Sequence, residues 1–436
     1  MIPGLDHTIY MDTATSSASS FNSTGLAPAI LSALDILRFA TPTPIQAKAI
    51  PIALTGVDVI GIAQTGTGKT LAFGLPIIQR LMAHSSERAL IIVPTRELAI
   101  QVEESLRTVT RQLNPGIRSV VLIGGMPIYR QVKDLKNRPQ LIVATPGRLR
   151  DHLEQGTVDL AAVSILVLDE ADRMLDMGFA PQIKFICDRA PQSRQTLLFS
   201  ATMAPEVAGL ARSFQKDPTR IEVAPTGQSA ALIKQELCYV DQGDKTDLLR
   251  QLLDQHQGTV LVFSRTKHGA RKLADKVNMF GHRATDIHSN KSLSQRRQAL
   301  DGFKSGRFRV LVATDVASRG IDVNDIQLVI NFDLPDVSDD YIHRIGRTGR
   351  AGKDGHAISF ATPDQRRDVQ AIERLVGRQI PLTEGSMPMP VAQYESRGRS
   401  FGNSQGRPQG RPQGRPTGRS FSRPGNFGHA KPYSSR

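Results

Sequence analysis

Cysteine is scarce in this chain, long apolar runs are absent, and acidic residues nearly vanish from its last fifty positions. The only cysteines, Cys187 and Cys238, lie far apart with no CxxC or Cys/His pattern around them. That excludes a disulfide framework or a zinc-binding scaffold, and a reducing compartment is the default. No stretch approaches the roughly eighteen apolar residues that a membrane-spanning helix needs. The first residues lack a basic segment followed by an apolar one, so no secretory signal is expected and a cytoplasmic location is. Met11 offers a second possible start. Residues 386 to 436 hold eight arginines and one lysine against Glu395 alone, which is more than half of the formal net charge of +14. A polyanionic partner is implied, and the tail carries most of the attraction.

What is present is an alternation. Short apolar runs at residues 57–63, 89–93, 119–123, 141–144, 165–168 and 196–199 are separated by helical stretches. Strands alternating with helices predict a parallel, doubly wound α/β sheet, with ligands beyond the strand carboxyl ends. Several runs end in small or polar residues: Pro94-Thr95-Arg96-Glu97, Gly124-Gly125, Thr145-Pro146-Gly147-Arg148 and Ser200-Ala201-Thr202. These segments should line one edge. A second series occupies residues 235–240, 259–263, 309–313, 327–331 and 356–360, after a stretch rich in Pro, Gly, Ser and Ala. The expected organisation is a disordered start (1–20), a first domain (21–223), a linker (224–231), a second domain (232–382) and a disordered tail (383–436).

Within the first domain, apolar positions from 26 to 39 recur at helical spacing and stop at Thr41-Pro42-Thr43-Pro44. The run at 57–63 leads into Gln64-Thr65-Gly66-Thr67-Gly68-Lys69-Thr70 and an apolar helix start. Strand, glycine-rich loop and helix are the setting of a phosphate-binding loop, although Ala63 replaces its usual first glycine. Backbone N–H groups would cradle phosphate oxygens, the Lys69 ammonium would reach the β and γ phosphates, and the Thr70 hydroxyl would bind Mg²⁺. Downstream, Ile165-Leu166-Val167-Leu168 breaks into Asp169-Glu170-Ala171-Asp172, acids placed where open sheets keep metal chemistry. The second series has no such loop. It carries Ala313-Thr314-Asp315, Arg319-Gly320-Ile321-Asp322 and His343-Arg344-Ile345-Gly346-Arg347-Thr348-Gly349-Arg350. Three guanidinium groups at every third residue are difficult to explain as packing. In the tail, Gly-Arg-Pro repeats interleaved with Phe401, Phe421, Phe427 and Tyr433 suit capture and stacking of single-stranded nucleic acid.

With these motifs in this order, residues 21 to 380 resemble the DEAD-box family of ATP-dependent RNA helicases. The resemblance implies two tandem RecA-like parallel-sheet domains that close on ATP and on RNA. Phe21, Phe39 and Gln46 would form the adenine-specific element, with Ala63, Gln64, Thr65, Gly66, Thr67, Gly68, Lys69 and Thr70 holding the phosphates. Asp169, with Thr70, would hold Mg²⁺, and Glu170 would deprotonate the attacking water. Asp172, Ser200, Thr202 and His343 would couple the nucleotide to domain closure. Arg347 and Arg350 would supply arginine fingers, while Gly320 and Asp322 would meet the nucleotide. RNA-facing candidates are Pro94, Thr95, Arg96, Gly125, Thr145, Pro146, Gly147 and Arg148, with Arg265 and Thr314 in the second domain.

Three positions depart from the family's pattern: Arg38 and Ser289, where glycine is common, and Leu293, where glutamine is. The Asn290-Lys291-Ser292 run and short basic tail resemble the bacterial RhlE-like branch. An RNA-stimulated ATPase that separates short RNA duplexes or remodels RNA–protein complexes is the main expectation. An ATP-gated RNA clamp, an annealing chaperone and a DNA helicase are its rivals.

Overall fold

Two parallel sheets, each buried under helices on both faces, carry the chain. The computed structural model describes residues 20–64, 66–223, 233–315, 326–349 and 355–383. The expected disordered start apart from Ser20, the linker at 224–231, the tail beyond Thr383, and Thr65, Gly320, Asp322 and Arg350 lie outside the described residues.

The first sheet contains β1 (Val59–Ile62), β2 (Arg88–Ile92), β3 (Ser119–Leu122), β4 (Leu141–Ala144), β5 (Val163–Asp169), β6 (Gln195–Ser200) and β7 (Thr219–Glu222). Their spatial order is β3-β4-β2-β5-β6-β1-β7. The second contains β8 (Ile233–Tyr239), β9 (Val260–Phe263), β10 (Ala284–Ile287), β11 (Val310–Ala313), β12 (Leu328–Asn331) and β13 (Gly355–Ala361), ordered β10-β11-β9-β12-β13-β8. Every strand pairing among the described residues is parallel, β1 with both β6 and β7 among them. Parallel strands covered on both faces need side chains that are apolar on both, and β1, β4, β9 and β11 are buried at every position.

One face of the first sheet packs under Ile45, Phe73, Val102 and Leu106, the other under Leu149, Met174, Ile183 and Val207. Phe73 and Phe199 stack tilted, ring centroids 5.3 Å apart, between the helix Lys69–Ala83 and the centre of the sheet. Two strands were not anticipated, β7 and β10. Thr219–Glu222 and Ala284–Ile287 lack a continuous apolar run, and pairing to β1 and β11 makes strands of them. The helix expected over 26 to 39 spans Pro28–Ile36. Beyond it, Pro44 takes the first position of the helix Pro44–Leu54, where its missing N–H costs nothing.

Candidate active site

Beyond β1 the chain turns on Gly66 and Gly68, with φ of 88° and 93°. Gly68 caps the helix Lys69–Ala83, and its neighbours require glycine as much as its backbone does. An added Cβ would stand 2.5 Å from Gln46 Nε2 and 2.9 Å from Thr43 Oγ1. Gln46 is thereby locked to the loop: its Nε2 donates to the Gly68 carbonyl at 2.9 Å, and its Oε1 accepts from Thr43 N at 2.9 Å. One N–H and one lone pair of this amide stay available for a base edge. Ala63 N donates to the Ser200 carbonyl at 3.0 Å, and Thr67 Oγ1 to the Gln64 carbonyl at 2.7 Å. Phe39, expected beside the base, is 40% exposed.

Arg38, just before it, closes the helix Pro28–Ile36 in a Schellman motif. Arg38 N donates to the Asp35 carbonyl and Phe39 N to the Leu34 carbonyl, both at 2.9 Å, with Arg38 at φ 60°. The backbone therefore adopts a glycine-type conformation despite the arginine.

Lys69 is buried, and its Nζ has no hydrogen-bond partner. Asp169, at the end of β5, is 3% exposed, and burial raises its pKa to about 6 against the pull of Lys69. A buried ammonium without an acceptor beside a reluctantly ionised carboxylate is an environment that fits a phosphate–cation pair. Thr70 and Asp169 could hold such a cation, and among the described residues no group of three or more His, Cys, Asp or Glu side chains could do so without ligand oxygens.

Glu170 adopts the left-handed conformation, φ 55° and ψ 52°, at the start of the helix Ala171–Asp176. Burial works to raise its pKa, yet Arg173, Lys69 and Arg347 together hold it below the ordinary carboxylate value. Arg173 Nη1 donates directly to Glu170 Oε2. Asp172 ties β5 to β6: its Oδ2 accepts from Ala201 N at 3.0 Å, Thr202 N at 3.1 Å and Thr202 Oγ1 at 3.4 Å. Asp172 N in turn donates to Ser200 Oγ at 3.4 Å.

From the second lobe, Arg347 is buried, donates through Nε to the His343 carbonyl at 3.2 Å, and acts electrostatically on Glu170. The His343 ring lies 3.9 Å from Asp340. Arg344 corrects the view that this arginine series is not packing. Only 2% exposed, it grips Asp315 with Nε and Nη2 at 2.5 and 2.6 Å, donates to Asn331 Oδ1 and the Asp333 carbonyl, and covers the Phe263 ring at 4.9 Å. Sequence reasoning missed Arg173 as well. Its spacing of three from Glu170 on a helix was a usable signal, whereas nothing in the sequence connects Arg344 to Asp315.

The other strand ends make a second surface. Thr95 caps the helix Arg96–Thr110, accepting from Leu98 N at 3.3 Å, and Thr145 precedes Pro146 at the start of Pro146–Glu154. Pro94, Thr95, Thr145 and Pro146 are buried, Gly147 and Arg148 partly so, and Arg96 and Gly125 are exposed. Arg96 lies on Gly125, where an added Cβ would come within 2.4 Å of its Nη1. Arg148 Nη1 donates to the Met126 carbonyl at 2.9 Å. Both arginines thus converge on the 124–126 turn. Opposite, Thr314 N donates to the Ile287 carbonyl at 3.3 Å, and exposed Arg265 pairs with Asp336 at 3.4 Å.

The lobes touch through Glu97 and Arg296, both buried and 2.7 Å apart, and through Arg297 and Glu104 at 3.6 Å. Leu293 packs on the first lobe's core, while Ser289 is exposed.

The family model "DEAD/DEAH box helicase" matches residues 43–210, and "Helicase conserved C-terminal domain" matches residues 244–352. The DEAD-box ATP-dependent RNA helicase CshA of Geobacillus kaustophilus is 43% identical over 364 residues, covering 83% of this chain and 78% of the relative. Its Bacillus cereus counterpart shares 43% over 83% of this chain and 69% of the relative. Among solved structures, Saccharomyces cerevisiae Dbp5 bound to RNA and ADP BeF3 is 32% identical with a TM-score of 0.74, covering 84% of this chain and 95% of that one. Mss116p bound to ssRNA and AMP-PNP is 28% identical with a TM-score of 0.77, over 85% and 81%. These relatives support the RecA-like architecture, and the CshA name they bring does not single out the RhlE-like branch. With its loop lysine, its Asp-Glu-Ala-Asp segment and its buried arginines set on two RecA-like sheets, the chain belongs to the DEAD-box family of ATP-dependent RNA helicases.

Proposed function

We propose that this helicase hydrolyses ATP in an RNA-stimulated manner and separates short RNA duplexes, or remodels RNA–protein complexes, by local strand bending. The observation that carries the reading is the buried set of Lys69, whose Nζ has no hydrogen-bond partner, Asp169 and Glu170 at the strand ends of the first lobe, on which the charge of buried Arg347 acts from the second. A charge delivered across the cleft makes hydrolysis depend on how the lobes meet. The relative Dbp5, bound to RNA and ADP BeF3, supports both ligands.

Thr70 and Asp169 would hold Mg²⁺, which when bound supplies positive charge against phosphoryl oxygens. Lys69 neutralises the phosphate chain, Gln46 and Phe39 take the adenine, and the loop from Ala63 to Gly68 presents its N–H groups. Glu170, kept ionised by Arg173, orients and deprotonates the water. Arg347 and Arg350 stabilise the transferring phosphoryl group, with fingers of this kind worth roughly 10³ to 10⁵ in rate. Gly320 and Asp322 meet the nucleotide. Asp172, bonded to the Ser200–Thr202 strand end, and His343 relay nucleotide state to lobe closure. Arg96, Arg148 and the small residues around them bind RNA backbone and 2′-OH, joined by Arg265 and Thr314. The working parts are residues 21–223 and 232–382, acting in the cytoplasm. No helix among the described residues is long and apolar enough to cross a membrane.

An ATP-gated RNA clamp is a second reading, favoured by the apolar seat of Leu293 on the opposite lobe. Steady-state ATP hydrolysis, with and without single-stranded RNA or DNA of the same sequence, separates the readings. Strong RNA-selective stimulation is expected in the wild type, and Glu170→Gln should bind ATP and RNA yet not turn over. Tight RNA binding with little stimulation would favour the clamp, equal stimulation by DNA would favour a DNA helicase, and substantial hydrolysis by the variant would remove Glu170 as base.

A further inference from the structure

The two sheets share one strand order. Element by element, β3-β4-β2-β5-β6-β1 corresponds to β10-β11-β9-β12-β13-β8, with β7 added only to the first. β8 therefore stands where β1 stands, and the helix Lys245–Gln255 where Lys69–Ala83 stands. Lys245 opens its helix as Lys69 does. Asp333 lies just beyond β12, the counterpart of β5, which ends on Asp169. Buried Lys245 donates to the Phe332 carbonyl at 2.9 Å and sits 3.4 Å from Asp333 Oδ1. Beside this pair opens a cavity of about 600 Å³ that the ATP site does not use.

The lining is suited to one chemistry. Lys272 and Lys276, one turn apart on the helix Lys267–Met279, are exposed at its rim, and neither has an acidic partner among the described residues. Among the described residues Lys276 Nζ reaches the Thr246 hydroxyl, at 3.4 Å. Asp333 is already occupied by Lys245, by Ser264 Oγ at 3.3 Å and by Arg265 N at 3.0 Å. Arg265, Lys272 and Lys276 outnumber the exposed Asp364 in the lining, so positive charge is in surplus at the rim, while Phe332 and Leu273 give an apolar surface within. Cations beside an aromatic floor complement a phosphate joined to a base. The loop before Lys245 bears Gln242 and Asp244 where the first lobe has Gly66 and Gly68, with Asp241 one residue further back. Its Asp244 and Lys245 amides already donate to the Asp241 carbonyl, and its two carboxylates disfavour a long anion such as a triphosphate.

We propose that this cavity binds a nucleotide carrying one or two phosphoryl groups, the phosphate against Lys272 and Lys276 and the base against Phe332. That chemistry is shared by a free nucleotide and by one unit of an RNA strand. The RNA source rests on the function proposed above, and the free source does not.

The test uses the full-length chain as wild type, Lys69→Ala and Lys272→Ala/Lys276→Ala, with ADP stoichiometry from equilibrium dialysis and oligouridine affinity measured across salt. For a free nucleotide, wild type binds two ADP and each variant binds one. For an RNA unit, wild type binds one ADP, Lys69→Ala binds none, and the double variant keeps its ADP while its RNA salt slope falls by about 1.4. A double variant changed in neither ADP stoichiometry nor salt slope overturns the proposal. Unaltered ADP binding in Lys69→Ala would instead overturn the reading of the first site. Both substituted lysines are exposed, and an unchanged melting temperature confirms that the double variant folds.

Discussion

Arg38 shows how a single residue can depart from a pattern while the backbone keeps it. Its side chain is exposed and its φ of 60° is one that glycine adopts without strain. Replacing it removes a left-handed penalty of roughly 1–2 kcal/mol, partly offset by the extra freedom of glycine in the unfolded chain. Arg38→Gly should therefore stabilise the protein by about 0.5–1 kcal/mol in urea unfolding. A loss of stability would show that the side chain makes a contact the exposure denies. Arg344 is the opposite case. Its partners Asp315, Asn331 and Asp333 come from two other strand ends. Arg344→Ala would leave Asp315 beside an empty, largely buried socket, and a cost of roughly 3–5 kcal/mol is expected in the same measurement. The loop lysine and the acids after β5 were legible because their chemistry is written in consecutive residues. Arg344 was not, because only the fold brings its ligands together, and an arginine every third residue reads the same whether it faces water or a carboxylate.

At the scale of elements, His152 joins two helices that carry the arginine-rich edge. Fully buried on Pro146–Glu154, its Nδ1 lies 2.7 Å from Thr157 Oγ1 and its Nε2 3.3 Å from Gln131 Oε1 on Ile128–Lys136. Burial, reinforced by the charge of Arg148, holds its pKa below the ordinary histidine value. An unfolded chain takes up a proton near pH 6.5 and the folded one resists it, so this contribution is full above that pH and declines as pH falls through it. Melting temperatures between pH 7 and pH 5 should drop less steeply in His152→Asn than in the wild type. Equal slopes would mean that this histidine does not control the acid limb. Element types were legible wherever a strand was apolar on both faces. They were not for β7 and β10, whose strand character comes from the neighbour each pairs with, not from its own residues.

For the whole molecule, charge is divided unevenly between the sheets and the segment after them. Deleting residues 386 to 436, which hold eight arginines and one lysine against one glutamate, should weaken RNA binding and flatten its salt dependence. The maximal ATPase rate should stay nearly unchanged, because every group around Lys69 lies upstream. An unchanged salt slope would mean that the tail does not meet RNA. Two tandem sheets could be anticipated from alternating runs, but the meeting of Glu97 with Arg296 could not, since 199 positions separate them and no motif spans both.

The position of β1 between β6 and β7 also constrains how this protein is made. Val59 pairs with Leu197 and Thr219, so the strand that leads into the phosphate loop has no neighbour until about 140 further residues have been synthesised. At roughly 5–20 residues per second, that is a wait of about 7 to 30 seconds on the ribosome. Nascent chains arrested before residue 195 should therefore be open to protease around the loop, and those arrested well past residue 222 protected.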